Sequence, residues 1–248
     1  MIRLKSRDEV EKMRLSGAKL GTVLGYIGDM VEPGITTGDL NRAAELRIRE
    51  LGAAPAFLHY MGYPAALCVS VNEEVIHGIP GRRVLKDGDV VSLDLGLIYE
   101  GYYADSAVTI ACGDVAPDDA HLIDTTRDCL EAGIRAAVQG GRLGDIGSVV
   151  QGLAERNGMN VVREYVGHGI GRELHEDPEV PNYGKPGTGI NLKEGLVIAI
   201  EPMVNAGSPV VRVLDDSWTV VTADGRHSAH FEHTIAITAR GPLVLTQR

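Results

Sequence analysis

No stretch of this sequence approaches the ~18 consecutive apolar residues of a membrane-spanning helix, and the opening MIRLKSRDEVEKMRLSG lacks the apolar core of a signal peptide. Cysteine is scarce. Cys68, Cys112 and Cys129 are odd in number, far apart and form no CxxC pair, which excludes a disulfide framework and a thiolate zinc site and points to a reducing compartment. Aromatic residues make up only 4%, with two Phe and a single Trp, so any grouping of them is informative. Cations are outnumbered, 24 Lys and Arg against 34 Asp and Glu, for a formal charge of -10. Nucleic-acid binding rests on clustered cations, and the longest cluster here is as short as Arg82–Arg83, so no direct nucleic-acid recognition is expected. HExxH, GxSxG, a Walker loop and a GxGxxG after a strand are also missing, which removes support for single-zinc proteases, serine hydrolases and nucleotide enzymes.

What remains is an ordinary globular composition, 44% hydrophobic and 23% charged, in a chain of 248 residues that can bury a substantial core. No linker divides it, so a single domain over residues 1–248, with no N-terminal extension, is expected in the cytoplasm.

The chain writes one phrase twice. KDGDVVSLD (86–94) and KEGLVIAIE (193–201) share a basic residue, an acid, a glycine, an apolar run and a terminal carboxylate. A second echo precedes each phrase: EEVIHGI, with His77, and EYVGHGI, with His168. Two pairs in the same order imply a duplicated architecture whose halves each bring one His and at least one carboxylate to a shared place.

Local signals agree with duplication. SRDE offers a capping box that starts a helix at Ser6 and carries it to about Gly25 or Gly28; Thr36 or Thr37 caps a second helix that ends at Gly52. Another helix pair is expected over about 117–139 and 145–157. β-rich runs lie at 65–71, 90–98 and 102–112 in the first half, and at 196–202, 209–213, 217–222 and 230–238 in the second. The fold class is α+β: two pseudo-symmetric halves, each with a helix pair and antiparallel strands, forming a curved sheet around the carboxylates.

IYEGY suits a three-residue hairpin loop with Gly101 in the left-handed position, which sets Asp94 and Asp105 about opposite each other. Facing β-carbons are about 4.5–5.5 Å apart, so two like charges there need an intervening cation, an Arg partner or a proton. Glu201 ends an apolar run as Asp94 does, Glu232 sits in AHFEHTIAI, and His168 lies in GHGIG, where the flanking glycines leave room for close approach. Four acids and one imidazole suit two divalent ions of the Mn, Fe, Co or Zn type, and a metal pair activates water in many hydrolases.

With these residues in view, HGIP, DLGLIYEGYYADSA, GHGIG, the EP of IEPMVNAG and FEHT resemble the type I methionine aminopeptidases of the pita-bread fold over nearly the whole chain. The resemblance implies that Asp94, Asp105, His168, Glu201 and Glu232 ligate two ions, with Asp105 and Glu232 bridging them and Glu201 also shuttling a proton. It implies that His77 contacts the scissile amide and that His175, in RELHEDP, polarises its carbonyl oxygen. A methionine pocket would be formed by Phe57, Tyr60, Tyr63, Cys68, His77, Leu174 and Trp218. Phe57 and Leu174 depart from the family's habit of a smaller residue at the first place and a bulkier aromatic at the second, and His230 stands where Gln is frequent. The implied activity is a dinuclear metalloaminopeptidase that removes initiator methionine when the second residue is small. Its implied partners are nascent polypeptide N-termini and the ribosome, with no membrane, and the chain is expected to act as a monomer. Proline-directed peptidases of this fold and a non-catalytic binding module are the competing readings.

Overall fold

The structure, a computed structural model, describes residues 2–247. The first half runs through α1 (Arg7–Gly28), α2 (Thr37–Glu50), β1 (Ala54–Pro55), β2 (Leu67–Val71), β3 (Glu74–Ile76), β4 (Asp89–Tyr99) and β5 (Tyr102–Cys112). The second half runs through α3 (Pro117–Ala136), α4 (Leu143–Arg156), β6 (Asn160–Val161), β7 (Gly167–Gly169), β8 (Glu176–Val180), β9 (Val197–Ile200), β10 (Met203–Asn205), β11 (Val211–Val213), β12 (Val220–Thr222), β13 (Ser228–His230), β14 (His233–Thr238) and β15 (Gly241–Val244).

The starts of α1 and α2 follow from side-chain chemistry. The Ser6 hydroxyl accepts from the Glu9 N–H at 3.3 Å while the Ser6 N–H donates to the Glu9 carboxylate at 3.0 Å, so the α1 cap is the expected reciprocal box. Thr36 and Asp39 repeat the arrangement at α2. Each helix pair then covers its own sheet. Leu20, Leu24 and Ile48 pack on Leu67, Val91 and Leu93 in the first half, and Leu130 and Ile146 pack on Ile198, Ile200 and Ile235 in the second. Fully burying each such side chain contributes on the order of 1.5–3 kcal/mol. The sheets are therefore anchored from outside, leaving their inner face for polar work.

β4 is the central strand of the first-half sheet, flanked by β5 on one side and by β1 and β2 on the other. The second half is led by the five-stranded order β15-β14-β9-β7-β8. The two sheets meet at a seam between β5 and the segment 230–234. There the Glu232 N–H donates to Ala107 O at 2.9 Å, and the Thr109 and Thr234 hydroxyls bind the backbone of His230 and Asp105.

Three expectations need correction. The β4–β5 hairpin turns on two residues, Glu100 and Gly101, both left-handed at φ 50° and 77°, and Tyr99 pairs with Tyr102. Left-handed backbone at both central residues matches the right-handed strand twist, which a longer loop would not do as directly. In consequence Asp94 lies opposite Ala107 and Asp105 opposite Gly96, so the two acids are diagonal neighbours on one face rather than facing partners. The run at 196–202 is a strand only over β9, with Glu201 just beyond it, and the run at 230–238 breaks at Phe231 and Glu232 between β13 and β14. Finally, the glycines around His168 serve the backbone. A β-carbon at Gly167 would lie 2.3 Å from Ala199 O and one at Gly169 would lie 2.1 Å from Asp177 O, so they admit neighbouring strands, not a ligand.

Candidate metal centre

Each acid reaches the inner face from a different place in the fold. Asp94 and Asp105 come from β4 and β5, Glu201 from the end of β9, and Glu232 from the break beside the seam. His168 comes from β7, which pairs with β9. Single ligand atoms of Asp105, His168 and Glu232 all lie within 4.8 Å of one another. The His168 Nε2 is 3.6 Å from Glu201 Oε1 and 3.9 Å from Asp105 Oδ2.

Electrostatically, this cluster is under stress without a cation. Burial and mutual repulsion hold Asp105, Glu201 and Glu232 well above the ordinary carboxylate range, and burial pushes Asp94 up to about 7. One oxygen each of Asp94, Asp105 and Glu232 is buried with no hydrogen-bond partner. Among the described residues, the only ion-pair partners of these acids are the imidazoles of His168 and His230. Both rings are held neutral, at about 4 for His168 and about 3 for His230, chiefly by burial. The Arg-partner alternative is therefore excluded. An uncompensated buried carboxylate costs several kcal/mol, and four of them are balanced by two divalent cations.

His168 is set for the same role. Its Nδ1 lies 2.9 Å from Gly169 O, and because a carbonyl only accepts, Nδ1 carries the proton and the Nε2 lone pair faces the acids. The oxygen-rich set with one imidazole is a metal-binding site for borderline or hard divalent ions.

The five clustered residues themselves line a cavity of about 180 Å³. That is smaller than the ~300 Å³ at which drug-sized clefts begin, and it suits one side chain. All of the expected pocket residues line it: Phe57, Tyr60, Tyr63, Cys68, His77, Leu174 and Trp218. Cys68 stands opposite Asp94 on β2 and is buried, with its thiol driven well above its usual range, so it packs rather than reacts. Phe57 fits because its neighbour in space is Gly96, where a β-carbon would fall 2.6 Å from the ring. Tyr63 and Trp218 meet edge to face at 5.1 Å.

His77 and His175 flank the acids from opposite halves. His77 is left-handed at φ 59°, a backbone state that costs a non-glycine on the order of 1–3 kcal/mol and concentrates at functional positions. His175 places its ring 4.3 Å from that of His168, and its Nδ1 lies 2.7 Å from the Tyr60 hydroxyl. Both rings are held below the usual histidine range by burial, His77 to about 4.

His230 lies in the centre as well. Its Nε2 is 4.0 Å from Glu201 Oε2, and neither ring nitrogen has a hydrogen-bond partner. Two residues of the site escaped sequence reasoning. Met61, 83% exposed and left-handed, also lines the cavity, and Tyr165 packs edge to face on His77 at 5.8 Å. The signal for Tyr165 was present, since it belongs to the second copy of the word that contains His77.

A wider groove of about 920 Å³ lies outside the seam, between β5 and α3. It contains none of the five clustered residues, and its Asp124 and Glu131 are engaged by Arg127 and Arg135.

Comparison with known proteins is consistent across sequence and structure. Metallopeptidase family M24 matches residues 11–239. A methionine aminopeptidase of Clostridium perfringens is 51% identical over 246 residues, covering 99% of both chains, and methionine aminopeptidase 1 of Bacillus subtilis is 49% identical over the full length of both. The crystal structure of a methionine aminopeptidase from Thermotoga maritima superposes with a TM-score of 0.98 at 47% identity, covering both chains completely.

Proposed function

This chain belongs to metallopeptidase family M24 and, within it, to the type I methionine aminopeptidases, and from that premise we infer that it removes the initiator methionine from nascent proteins whose second residue is small. The observation that carries this reading is the stacking of a one-side-chain cavity directly on a buried, unneutralised carboxylate cluster.

Asp94, Asp105, His168, Glu201 and Glu232 would hold two divalent ions. When bound, such ions polarise the scissile carbonyl and make water nucleophilic at neutral pH. The chain's own groups do the rest. The thioether enters the cup of Tyr63, Cys68, Leu174 and Trp218, which is polarisable and apolar. The free α-amine lies toward Asp94, which explains selectivity for chain ends, because an internal residue has no amine to present. Glu201 takes the proton of the attacking water and delivers it to the leaving nitrogen. His175 stabilises the charge that develops on the carbonyl oxygen, and His77 contacts the amide.

Phe57, where the family more often has a smaller residue, forms part of the wall of the methionine cavity. Mn, Fe, Co and Zn all suit the donor set. Three buried, unbridged cysteines support a reducing, cytoplasmic site of action. No helix among the described residues is long and apolar enough to cross a membrane.

The test is cleavage of Met-Ala-Ser by metal-loaded protein, set beside N-acetyl-Met-Ala-Ser and Met-Trp-Ser. Release of methionine from the first alone supports the reading. Cleavage of the acetylated peptide at a similar rate, or none of the free one, refutes it.

A further inference from the structure

Lys5 lies outside the metal centre, yet its side chain is only 3% exposed and its ammonium pairs with the carboxylate of Glu176. A lysine is seldom buried without such a partner. Glu176 opens β8 and immediately follows His175. Its Oε1 accepts from the N–H of Arg172 at 2.8 Å and of Glu173 at 3.4 Å, so the loop 171–175 is wound around this carboxylate. The packing there is tight: a β-carbon on Gly171 would lie 2.5 Å from Lys5 Cε and 2.6 Å from Glu176 Oε1.

Lys5 is fixed in turn by its backbone. Its N–H donates to Gly195 O at 2.6 Å, and Gly195, at φ +86°, has no space for a β-carbon, which would fall 2.4 Å from Lys5 O. Gly195 belongs to the turn that leads into β9 and Glu201. A single residue near the start of the chain thus touches the two second-half elements that carry His175 and Glu201.

We propose that Lys5 is a positioning residue for peptide hydrolysis: by pairing with Glu176 it holds the 171–175 loop so that His175 stays beside His168 and Tyr60, in place for the substrate carbonyl. This rests on the reading of His175 given above. A role confined to folding would lower activity by the same factor whether or not His175 is present. A positioning role vanishes with the imidazole.

The experiment compares steady-state hydrolysis of Met-Ala-Ser and metal content in metal-loaded wild type, Lys5→Met, Lys5→Arg, His175→Ala and Lys5→Met/His175→Ala. Lys5→Met is expected to lower kcat about tenfold with KM changed less than about threefold and full metal content, Lys5→Arg to recover most of the loss, and Lys5→Met to cost His175→Ala less than about twofold. If Lys5→Met leaves Glu176 too exposed to repulsion for folding, Lys5→Met/Glu176→Gln, which removes both charges and keeps an acceptor for the two N–H groups, is read in its place, alone and on His175→Ala. Wild-type kcat in the Lys5 variant, or an equal loss in both backgrounds, overturns the proposal. A His175→Ala enzyme at full rate overturns the reading of His175 itself, whereas an impaired His175→Ala beside an unimpaired Lys5 variant removes only the role of Lys5.

Discussion

Ala107 and Glu232 exchange backbone hydrogen bonds across the seam, the Glu232 N–H donating to Ala107 O at 2.9 Å and the Ala107 N–H to Glu232 O at 3.4 Å. The two halves are therefore joined within two residues of Asp105 and at Glu232 itself, so ions held by these acids also cross-link the halves. Loading the protein at 100–1,000 times the metal Kd should stabilise it by about 2.7–4.1 kcal/mol for each ion bound, and for a chain of this size raise Tm by roughly 5–15 °C per ion. Differential scanning calorimetry before and after chelation checks this. Identical melting curves would mean that the acids take no metal.

Substitutions should separate holding the ions from using them. Asp105→Ala removes a carboxylate from the centre of the cluster and is expected to abolish metal occupancy and activity together. His175→Ala takes away a group outside the acids, so metal content should stay at the wild-type level while kcat falls about 10²–10³-fold, the usual cost of one oxyanion donor. Metal analysis of the two purified variants, beside their turnover of Met-Ala-Ser, distinguishes the cases.

Why some of this could be read from sequence and some could not has physical reasons. Ser6 and Thr36 cap their helices through contacts three residues away, and local contacts leave local signals. The five clustered residues were legible because burying Asp94, Asp105, Glu201 and Glu232 in apolar runs demands compensation wherever it occurs. The hairpin register was not, because Glu100 takes a left-handed conformation that its residue type does not advertise. That error moved the partner of Asp94 from Asp105 to Ala107, two positions, and the two-residue period of a strand kept both acids on one face. The setting of His175 depends on Tyr60 and on Lys5 through Glu176, contacts spanning 115 and 171 positions that no local pattern encodes.

The Tyr60 hydroxyl, 2.7 Å from His175 Nδ1, occupies that nitrogen and leaves Nε2 for the substrate contact proposed above. Its pKa is raised by burial first and by neighbouring Tyr103, Glu173 and Asp105 thereafter, so the phenol keeps its proton throughout the working pH range. Tyr60→Phe retains the ring against His175 and loses only the hydrogen bond, worth about 0.5–1.5 kcal/mol. A fall in kcat of about 2- to 12-fold is expected, with little change in Tm. An unaltered kcat would show that His175 needs no such restraint.

Metal affinity should rise with pH, and the sign follows from the protonation of the metal-free centre. Burial lifts Asp94 from the usual carboxylate range to about 7, and Asp105, Glu201 and Glu232 are raised as well. Their folded-state values exceed the unfolded ones, so the metal-free fold gains relative stability as pH falls and loses it as pH rises through about 7. Bound cations require the ionised acids, and binding therefore expels protons wherever those acids were protonated. His168 adds little to this proton release, because burial and His175 lower it to about 4 and it is already neutral at pH 6. Calorimetric titration with Mn²⁺ in buffers of different ionisation enthalpy should show protons released at pH 6.5 and a Kd that tightens by about tenfold or less per pH unit for each proton displaced. The stabilisation produced by metal should accordingly be larger at pH 8 than at pH 6. A Kd independent of pH across that interval would mean that the acids are ionised without a cation, and the repulsion argument for the metal centre would fail.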